Sequence, residues 1–301
     1  KEGDENQTKI DRDKLPPPDT GAEGASEKAA AGAAAAKAKA EAEANTLVGF
    51  KLSSGNVTYD DAPKITPPTS NSGGLITYSS SNPNVATVTG STIIIVGAGT
   101  TTIKANQAAL GLFPAPPEVT ASLTVGKKVL TISGVSATNR VYDGTTAVAL
   151  TGGALVGVES GDTVTLGGTP SGTVASAAVG TGKAVTIAGY TLGGGDALNY
   201  SVTQPTGVNV DITKGTPTLT GFALSATSIN IGDAAPTITA PTSVSTGAIT
   251  YSSSDTSVAT VSGSTITVVG PGSATITASQ AADANYNAPT SVTASMTVGK
   301  G

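Results

Sequence analysis

Few residues in this 301-residue chain could do chemistry, because the sequence contains no histidine and no cysteine. Triads built on either residue, imidazole or thiolate zinc sites and disulfide bonds are therefore excluded. Carboxylate pairs remain possible catalysts, and Asp60–Asp61 is such a pair. Its counterpart later in the chain is Gly232–Ala234, in which only one acid remains. We interpret Asp60–Asp61 as a turn before Pro63 and predict no catalytic residues.

Two aspartates and one glycine-rich segment are candidate ligand sites. Asp143 and Asp196 could supply oxygen to a calcium ion, but Asp is also a common turn residue, and we favour the turn interpretation. The segment Gly180–Lys183 has part of a phosphate-loop motif, but Ala177 and Ala184 replace the required Gly and Ser/Thr. We therefore predict no metal site and no cofactor.

Tyrosines are the remaining candidates, since a row of exposed rings could stack on a glycan. The ones in question are Tyr78, Tyr142, Tyr190, Tyr200 and Tyr251. Aromatic residues make up only 3% of the chain. Because so few large side chains are available to fill a core, we favour core packing for these rings over glycan binding.

The charge composition of the chain indicates which partners its surface suits. Charged residues are only 12% of the chain, with a net charge of −5, and many of them lie in the first 45 residues. A nearly neutral surface of Ser, Thr and Gly is a poor partner for nucleic acid or anionic membranes. No run of eighteen apolar residues is present, so we predict no membrane insertion. The chain begins at Lys1 rather than Met, and we expect a processed product or a fragment.

An internal repeat organises most of the chain. Residues 63–109 align without a gap on residues 236–282 and are roughly two-thirds identical. Within each copy apolar residues alternate with Ser and Thr, as in Ala274, Ile276 and Ala278, which predicts strands with one buried face. Thr89–Gly90 and Ser262–Gly263 separate such runs and predict tight hairpin turns in which glycine supplies positive φ.

We predict four parts: a leader (residues 1–45), a first copy (residues 46–127), a middle segment (residues 128–214) and a second copy (residues 215–301). The middle segment alternates in the same way but has its own sequence. The junctions at residues 127–128 and 214–215 are only a residue or two long, which favours nearly collinear, semi-rigid neighbours. Lys300–Gly301 repeats Lys214–Gly215 and hints at a further unit beyond it.

The leader divides into two. Residues 1–27 are charged and contain Pro16–Pro18, which predicts an extended or disordered segment. Residues 26–45 are rich in alanine, the best helix former, with Ser26 and Asn45 as candidate caps. Without a Leu or Ile seam, we favour a solvated helix or linker; the alternative is an alanine-packed oligomerisation stem.

Several motifs resemble known families. The segments ITYSSSNPNVATVTGSTIIIVGAGTTTIKAN and ITYSSSDTSVATVSGSTITVVGPGSATITAS resemble bacterial Ig-like domains of surface adhesins and phage virion proteins. The middle segment resembles the YDG-type repeat of large adhesins in its VYDGTT, VGTGK and DALNY motifs. The resemblance covers residues 46–301. It implies an all-β tandem array of three Ig-like β-sandwich domains behind a disordered, Ala-rich helical leader, located extracellularly, with no catalytic residue to transfer.

These observations favour a structural role. Three sandwiches in line predict a rod on the order of 110 Å, suited to a semi-rigid spacer or stalk on a bacterial surface. Its expected partners are itself, neighbouring repeats of a larger assembly, or a host-surface glycan or protein. One alternative is a phage virion structural or decoration protein, and another is a carbohydrate-binding accessory module.

Overall fold

The computed structural model describes residues 20–43 and 45–301. Its one long helix, α1 (Thr20–Glu43), begins six residues before the predicted start. The predicted cap at Ser26 is therefore wrong, because Ser26 lies inside the helix. The alanines continue back to this region, and isolated glycines cost a helix only about 1 kcal/mol each. The prediction of an extended segment is wrong for residues 20–27, and residues 1–19 lie outside the described part of the chain.

Helix α1 is exposed to solvent along most of its length. From residue 24 to residue 39 every side chain is exposed except that of Ala38, which is half-buried. This matches the predicted solvated helix. In the described residues no helix combines the length and the apolar character needed to cross a membrane.

The chain forms two compact units, residues 1–128 and residues 129–301. The first unit contains α1 and a sandwich of eight strands. These are β1 (Lys51–Leu52), β2 (Asn56–Thr58), β3 (Ile65–Thr66), β4 (Ile76–Ser80), β5 (Ala86–Thr89), β6 (Thr92–Ile95), β7 (Gly99–Gln107) and β8 (Val119–Gly126). The main sheet has the order β2-β8-β7-β4, and two small antiparallel pairs, β1-β3 and β5-β6, complete the fold.

The core of the first unit forms as the alternating pattern predicted. Side chains on one face of β7 and β8, including Ile103 and Leu123, are fully buried. Strands β5 and β6 pair with Thr89 opposite Thr92, so Gly90 and Ser91 form a two-residue turn. Gly90 has a φ of 58°, which is the conformation that the hairpin requires. The predicted hairpin is confirmed.

The strands of the middle segment come next, and all of their residues except Lys128 lie in the second unit. They are β9 (Lys128–Ser133), β10 (Ser136–Ala137), β11 (Arg140–Val141), β12 (Ala147–Val148), β13 (Leu150–Thr151), β14 (Ala154–Val156), β15 (Thr165–Val174), β16 (Gly180–Gly193), β17 (Tyr200–Val202) and β18 (Asn209–Thr213). A five-stranded sheet, β11-β18-β16-β15-β12, accompanies a three-stranded sheet, β14-β9-β17, and the pair β10-β13. One turn of 3₁₀ helix, Ala197–Asn199, precedes β17. A cluster that includes Ile187, Val210 and Ile212 forms the core.

The second copy completes this unit and repeats the sandwich of the first. Its strands are β19 (Ala223–Leu224), β20 (Ser228–Asn230), β21 (Ile238–Thr239), β22 (Ile249–Ser253), β23 (Ala259–Ser262), β24 (Thr265–Val268), β25 (Gly272–Gln280) and β26 (Val292–Gly299). The main sheet, β20-β26-β25-β22, matches that of the first copy strand for strand. Its separate core contains Ile276 and Met296. The all-β, Ig-like sandwich array predicted from the sequence is confirmed.

Candidate functional site

The most elaborate polar site in the described residues is a loop of the second copy that contacts the middle segment. This joint loop, residues 281–287, leaves the long strand β25. It packs beside the short connection at Lys214–Gly215, where the middle segment ends.

Gln280, the last residue of β25, anchors the start of the joint loop. Its side chain is buried, and its Nε2 donates to the carbonyl oxygens of Ser245 at 3.0 Å and Gly247 at 2.9 Å. The neighbouring strand connection lies so close that a Cβ on Gly247 would be 1.8 Å from the carbonyl oxygen of Ala281. Only glycine fits there, so the two loops are held in direct backbone contact.

Asp283 is the centre of the joint loop. Its Oδ2 accepts hydrogen bonds from the Ser245 hydroxyl at 2.9 Å, the Thr246 amide at 2.8 Å and the Thr246 hydroxyl at 3.0 Å. Its Oδ1 accepts from the amides of Asn285 and Tyr286, both at 2.8 Å. One carboxylate therefore fixes the turn of its own loop and ties that loop to residues 37 and 38 positions earlier.

These donors stabilise the ionised form of Asp283. The Thr246 amide contributes most, and together with the Asn285 amide, the Ser245 hydroxyl and the Tyr286 amide it holds the pKa of Asp283 far below its usual range, against a smaller opposing effect of burial. The carboxylate consequently remains charged, and the loop remains organised, at any pH near neutrality.

With its shape fixed, the joint loop contacts the chain that enters from the middle segment. The Gly215 amide donates to the Asn285 carbonyl at 3.1 Å, and the Asn287 amide donates to the Gly215 carbonyl at 2.8 Å. The Lys214 ammonium donates to the Asp283 carbonyl. A Cβ on Gly215 would lie 3.1 Å from two ring carbons of Tyr286, so the ring would have to shift by a few tenths of an ångström to admit any larger residue.

Two further contacts reach the body of the middle segment. The Val179 amide donates to Oδ1 of Asn285 at 3.2 Å. The ring of Tyr286 meets that of Tyr142 edge-on, with centroids 5.3 Å apart and planes at 89°, a favourable geometry for aromatic pairs. The joint thus combines directional hydrogen bonds with a ring contact.

The carboxylate pair Asp60–Asp61 lies in a turn, as predicted. The Thr58 amide donates to Oδ2 of Asp61 at 2.7 Å, and in the second copy the Asn230 amide donates to Oδ2 of Asp233 at the same distance. Asp60 accepts from the Thr58 hydroxyl at 2.7 Å and pairs with Lys128 at 2.9 Å. The Thr58 hydrogen bond, followed by the Lys128 contact, lowers the pKa of Asp60.

Asp143 and Asp196, the candidate cation ligands, accept hydrogen bonds from other groups of the chain. Asp143 accepts from the amide and hydroxyl of Thr145, both at 2.8 Å, and pairs with Arg140. The Thr145 amide is the largest cause that lowers the pKa of Asp143. Asp196 accepts from the Thr163 amide at 2.8 Å. Within residues 20–43 and 45–301 no three acidic side chains gather where they could share a metal ion.

The phosphate-loop interpretation of Gly180–Lys183 stays rejected on geometry as well. The Gly182 amide donates to Oδ1 of Asp211 at 2.7 Å. A phosphate would have to displace a carboxylate that is part of the same sheet, where it would also meet like charge.

The tyrosines serve mainly as core residues. Tyr190 and Tyr200 are buried, with 7% and 2% exposed. Tyr78 stacks on Phe50 and Tyr251 on Phe222, with centroids 6.2 and 6.1 Å apart, and burial raises the pKa of Tyr78. Tyr142 is half-buried and lies in the joint. The five rings therefore do not form an exposed row.

We predict that Tyr200→Phe destabilises the middle segment by about 1 kcal/mol, the usual net contribution of an intramolecular hydrogen bond. The Tyr200 hydroxyl donates to Oδ2 of Asp162 at 2.5 Å and accepts from the Glu159 amide at 3.1 Å. Hydrogen exchange of β16 and β18 measures the loss. Asp162→Asn keeps an acceptor and is the milder control; equal losses in both variants would contradict the assignment.

Comparison with known proteins agrees with this architecture. Residues 126–207 match the family model of the YDG domain, and residues 235–285 match that of the bacterial Ig-like domain (group 2). The resemblance stated from the sequence is thereby confirmed. No curated protein matches the chain in sequence.

Solved structures give low-identity likenesses. Drosophila N-cadherin EC1-4 is 13% identical with a TM-score of 0.34, over 85% of this chain and 75% of that one. Sidekick-1 immunoglobulin domains 1-5 are 11% identical with a TM-score of 0.34, over 85% and 60%. Domains 1-6 of the surface layer protein SbsC are 16% identical with a TM-score of 0.22; this chain spans 40% of that one. Likeness at this level says nothing about what the chain binds.

Proposed function

We propose that this chain is a non-catalytic, semi-rigid spacer of a bacterial cell surface, which holds an adhesive or assembling partner away from its base. The observation that supports the proposal most directly is the joint. Asp283, Asn285 and Tyr286 use both backbone and side-chain contacts to hold the middle segment against the second copy. A linker with no mechanical role would need none of these contacts.

The family matches support the same role. YDG and Ig-like domains are generally non-catalytic, and both belong to adhesion-type proteins. The nearly uncharged surface fits a spacer that does not attract nucleic acid or anionic membranes. The glycan-binding alternative has lost the tyrosine row on which it depended, and neither family match favours a virion over a cell surface.

Stiffness of the joint is the property to test, and a chain without cysteine allows clean labelling. Thr186→Cys on β16 and Thr267→Cys on β24 are exposed positions in the two parts. We expect double electron–electron resonance between spin labels at these sites in the full chain to give one narrow distance peak. A broad distribution, typical of a flexible linker, would refute the spacer proposal.

A further inference from the structure

The side chains that oxidants usually attack first are almost absent from this chain. It has no cysteine, tryptophan or histidine and one methionine, against seven tyrosines. That methionine, Met296, lies in the core of the second copy and is 1% exposed, and oxidation of a thioether requires access to its sulfur. An oxidant that removes one electron at a time therefore finds its reactive groups among the phenols of the tyrosines.

Two of the tyrosines, Tyr142 and Tyr286, meet in the joint. Tyr142 follows β11 in the middle segment, and Tyr286 lies on the joint loop of the second copy. Both are half-buried, so each side chain is partly open to solvent. The ring centroids are 5.3 Å apart with the planes at 89°, which puts the edge of one ring against the other. The two rings are therefore already in contact and within reach of a small oxidant.

The backbone holds each ring in place from its own side of the joint. The Tyr142 amide donates to the Thr213 carbonyl at 2.8 Å, and the Tyr286 amide donates to Oδ1 of Asp283, also at 2.8 Å. Both tyrosines border Gly215, where a Cβ would lie 3.1 Å from the Tyr286 ring and 3.6 Å from the Tyr142 carbonyl oxygen. A radical formed on one ring would stay beside the other, and groups held in contact react as though each were at very high concentration.

Four other tyrosines are placed differently. Tyr78 and Tyr251 each stack on a phenylalanine, whose ring has no phenolic hydrogen to lose. Tyr190 and Tyr200 are buried in the middle segment, with 7% and 2% exposed, where an oxidant in solution does not reach them. Composition thus confines the oxidation to tyrosine, and packing then favours the pair in the joint.

We propose that Tyr142 and Tyr286 form an oxidative cross-linking site, at which a peroxidase-class oxidant couples the two rings into dityrosine. The new bond would join the middle segment to the second copy covalently, where the structure holds them by hydrogen bonds and a ring contact. The site depends on the joint of the proposed spacer, and its modification would make that joint permanent.

The reaction balances with hydrogen peroxide as the terminal oxidant. Each phenol loses one electron and one proton to become a tyrosyl radical, and the two radicals form a carbon–carbon bond between positions ortho to their oxygens. The hydrogen on each of these carbons then moves to the oxygen of its own ring, which restores both hydroxyls and both aromatic rings. Hydrogen peroxide takes up the two electrons and two protons and becomes two molecules of water.

The proposal is tested by treating the full chain, at low concentration, with a peroxidase and hydrogen peroxide. We expect the blue fluorescence of dityrosine to develop in chains that remain single on a denaturing gel. Trypsin cuts after lysine and arginine, which places the two tyrosines in separate peptides, residues 141–183 and 215–300. Mass spectrometry should find these peptides joined with the loss of two hydrogen atoms, and tandem fragmentation should place the bond between Tyr142 and Tyr286.

The variants Tyr142→Phe and Tyr286→Phe each keep a ring in the joint but remove one phenol. Either should abolish the linked peptide and most of the fluorescence. Tyr78→Phe and Tyr251→Phe are the matched controls, because they remove a phenol outside the joint, and they should leave the yield unchanged. Dityrosine formed mainly between chains or between other tyrosines would overturn the proposal, as would its absence from the treated chain.

The spacer proposal is read separately, from the label pair at residues 186 and 267. A narrow distance peak without the linked peptide would overturn the cross-linking site and leave the spacer standing. The linked peptide together with a broad distance distribution would do the reverse, so the two proposals can fail independently.

Discussion

Replacing Asp283 by alanine should loosen the joint between the middle segment and the second copy more than any other single side-chain truncation in the loop. The carboxylate accepts from three backbone amides and two hydroxyls, so its loss leaves five donors without their acceptor. The distance distribution between labels at residues 186 and 267 should broaden markedly. Amide exchange at Asn285 and Tyr286 should accelerate by about tenfold or more.

The matched control is Asp233→Ala in the same copy. Asp233 accepts from one amide, that of Asn230, and takes no part in the joint contacts described above, so the distance distribution should stay narrow. Asp283→Asn retains one acceptor oxygen, so the width of its distance distribution should lie between those of Asp283→Ala and Asp233→Ala. If Asp283→Ala left the peak as narrow as Asp233→Ala does, the carboxylate would not be what holds the joint.

Lowering the pH tests independently whether the Asp283 carboxylate holds the joint. Because the pKa of Asp283 is lowered in the folded chain, its contribution is complete above the ordinary aspartate pKa of about 3.9 and is lost progressively as the pH falls below that value. The distance distribution between labels at residues 186 and 267 should therefore be as narrow at pH 5 as at pH 7, and it should broaden towards pH 2. The broadening that Asp283 causes should be missing from Asp283→Ala.

Much of the fold could be predicted from local pattern. Alternation placed Ile276 and Ala278 in the core, where they are fully buried, and the turn at Ser262–Gly263 forms with a φ of 59° at the glycine. Both features depend on neighbours within one hairpin or one strand face. The predicted start of α1 was wrong because a run of alanine interrupted by glycine gives no sharp helix boundary.

The joint was not predicted, because its contacts join residues far apart in sequence. Thr246 and Asp283 are 37 positions apart, and Val179 and Asn285 are 106 apart. One signal was available: the two copies agree through residues 109 and 282 and then diverge, with Leu110 in one and Asp283 in the other. A break in an otherwise close repeat marks where the two copies meet different surroundings.

The tyrosines show how far composition can lead. Scarcity of aromatic residues predicted core packing, and Tyr190 and Tyr200 are buried as expected. Composition could not separate these from Tyr142, whose ring meets Tyr286 of the second copy. Tyr142 follows β11, and the parallel pairing of β11 with β18 places it beside Thr213, just before the chain enters the second copy.

Gly247→Ala should cause the largest loss of stability of these substitutions, because the new Cβ would lie 1.8 Å from the Ala281 carbonyl oxygen. The obstacle is backbone rather than a flexible side chain, so the two loops must separate. Overpacking typically costs about 1–3 kcal/mol, and here we expect at least the upper value, since the bonds from Gln280 and to Asp283 are strained together.

Native-state hydrogen exchange of the full chain resolves this loss by region. In Gly247→Ala, peptides from β25 and β26 should exchange faster, while those from β15 and β16 should be unchanged, because the two segments have separate cores. Gly195→Ala is the matched control: no atom lies within 4 Å of its added Cβ. Equal exchange in the two variants would mean that the loops can part at little cost. The joint loop would then owe its position to Asp283 alone.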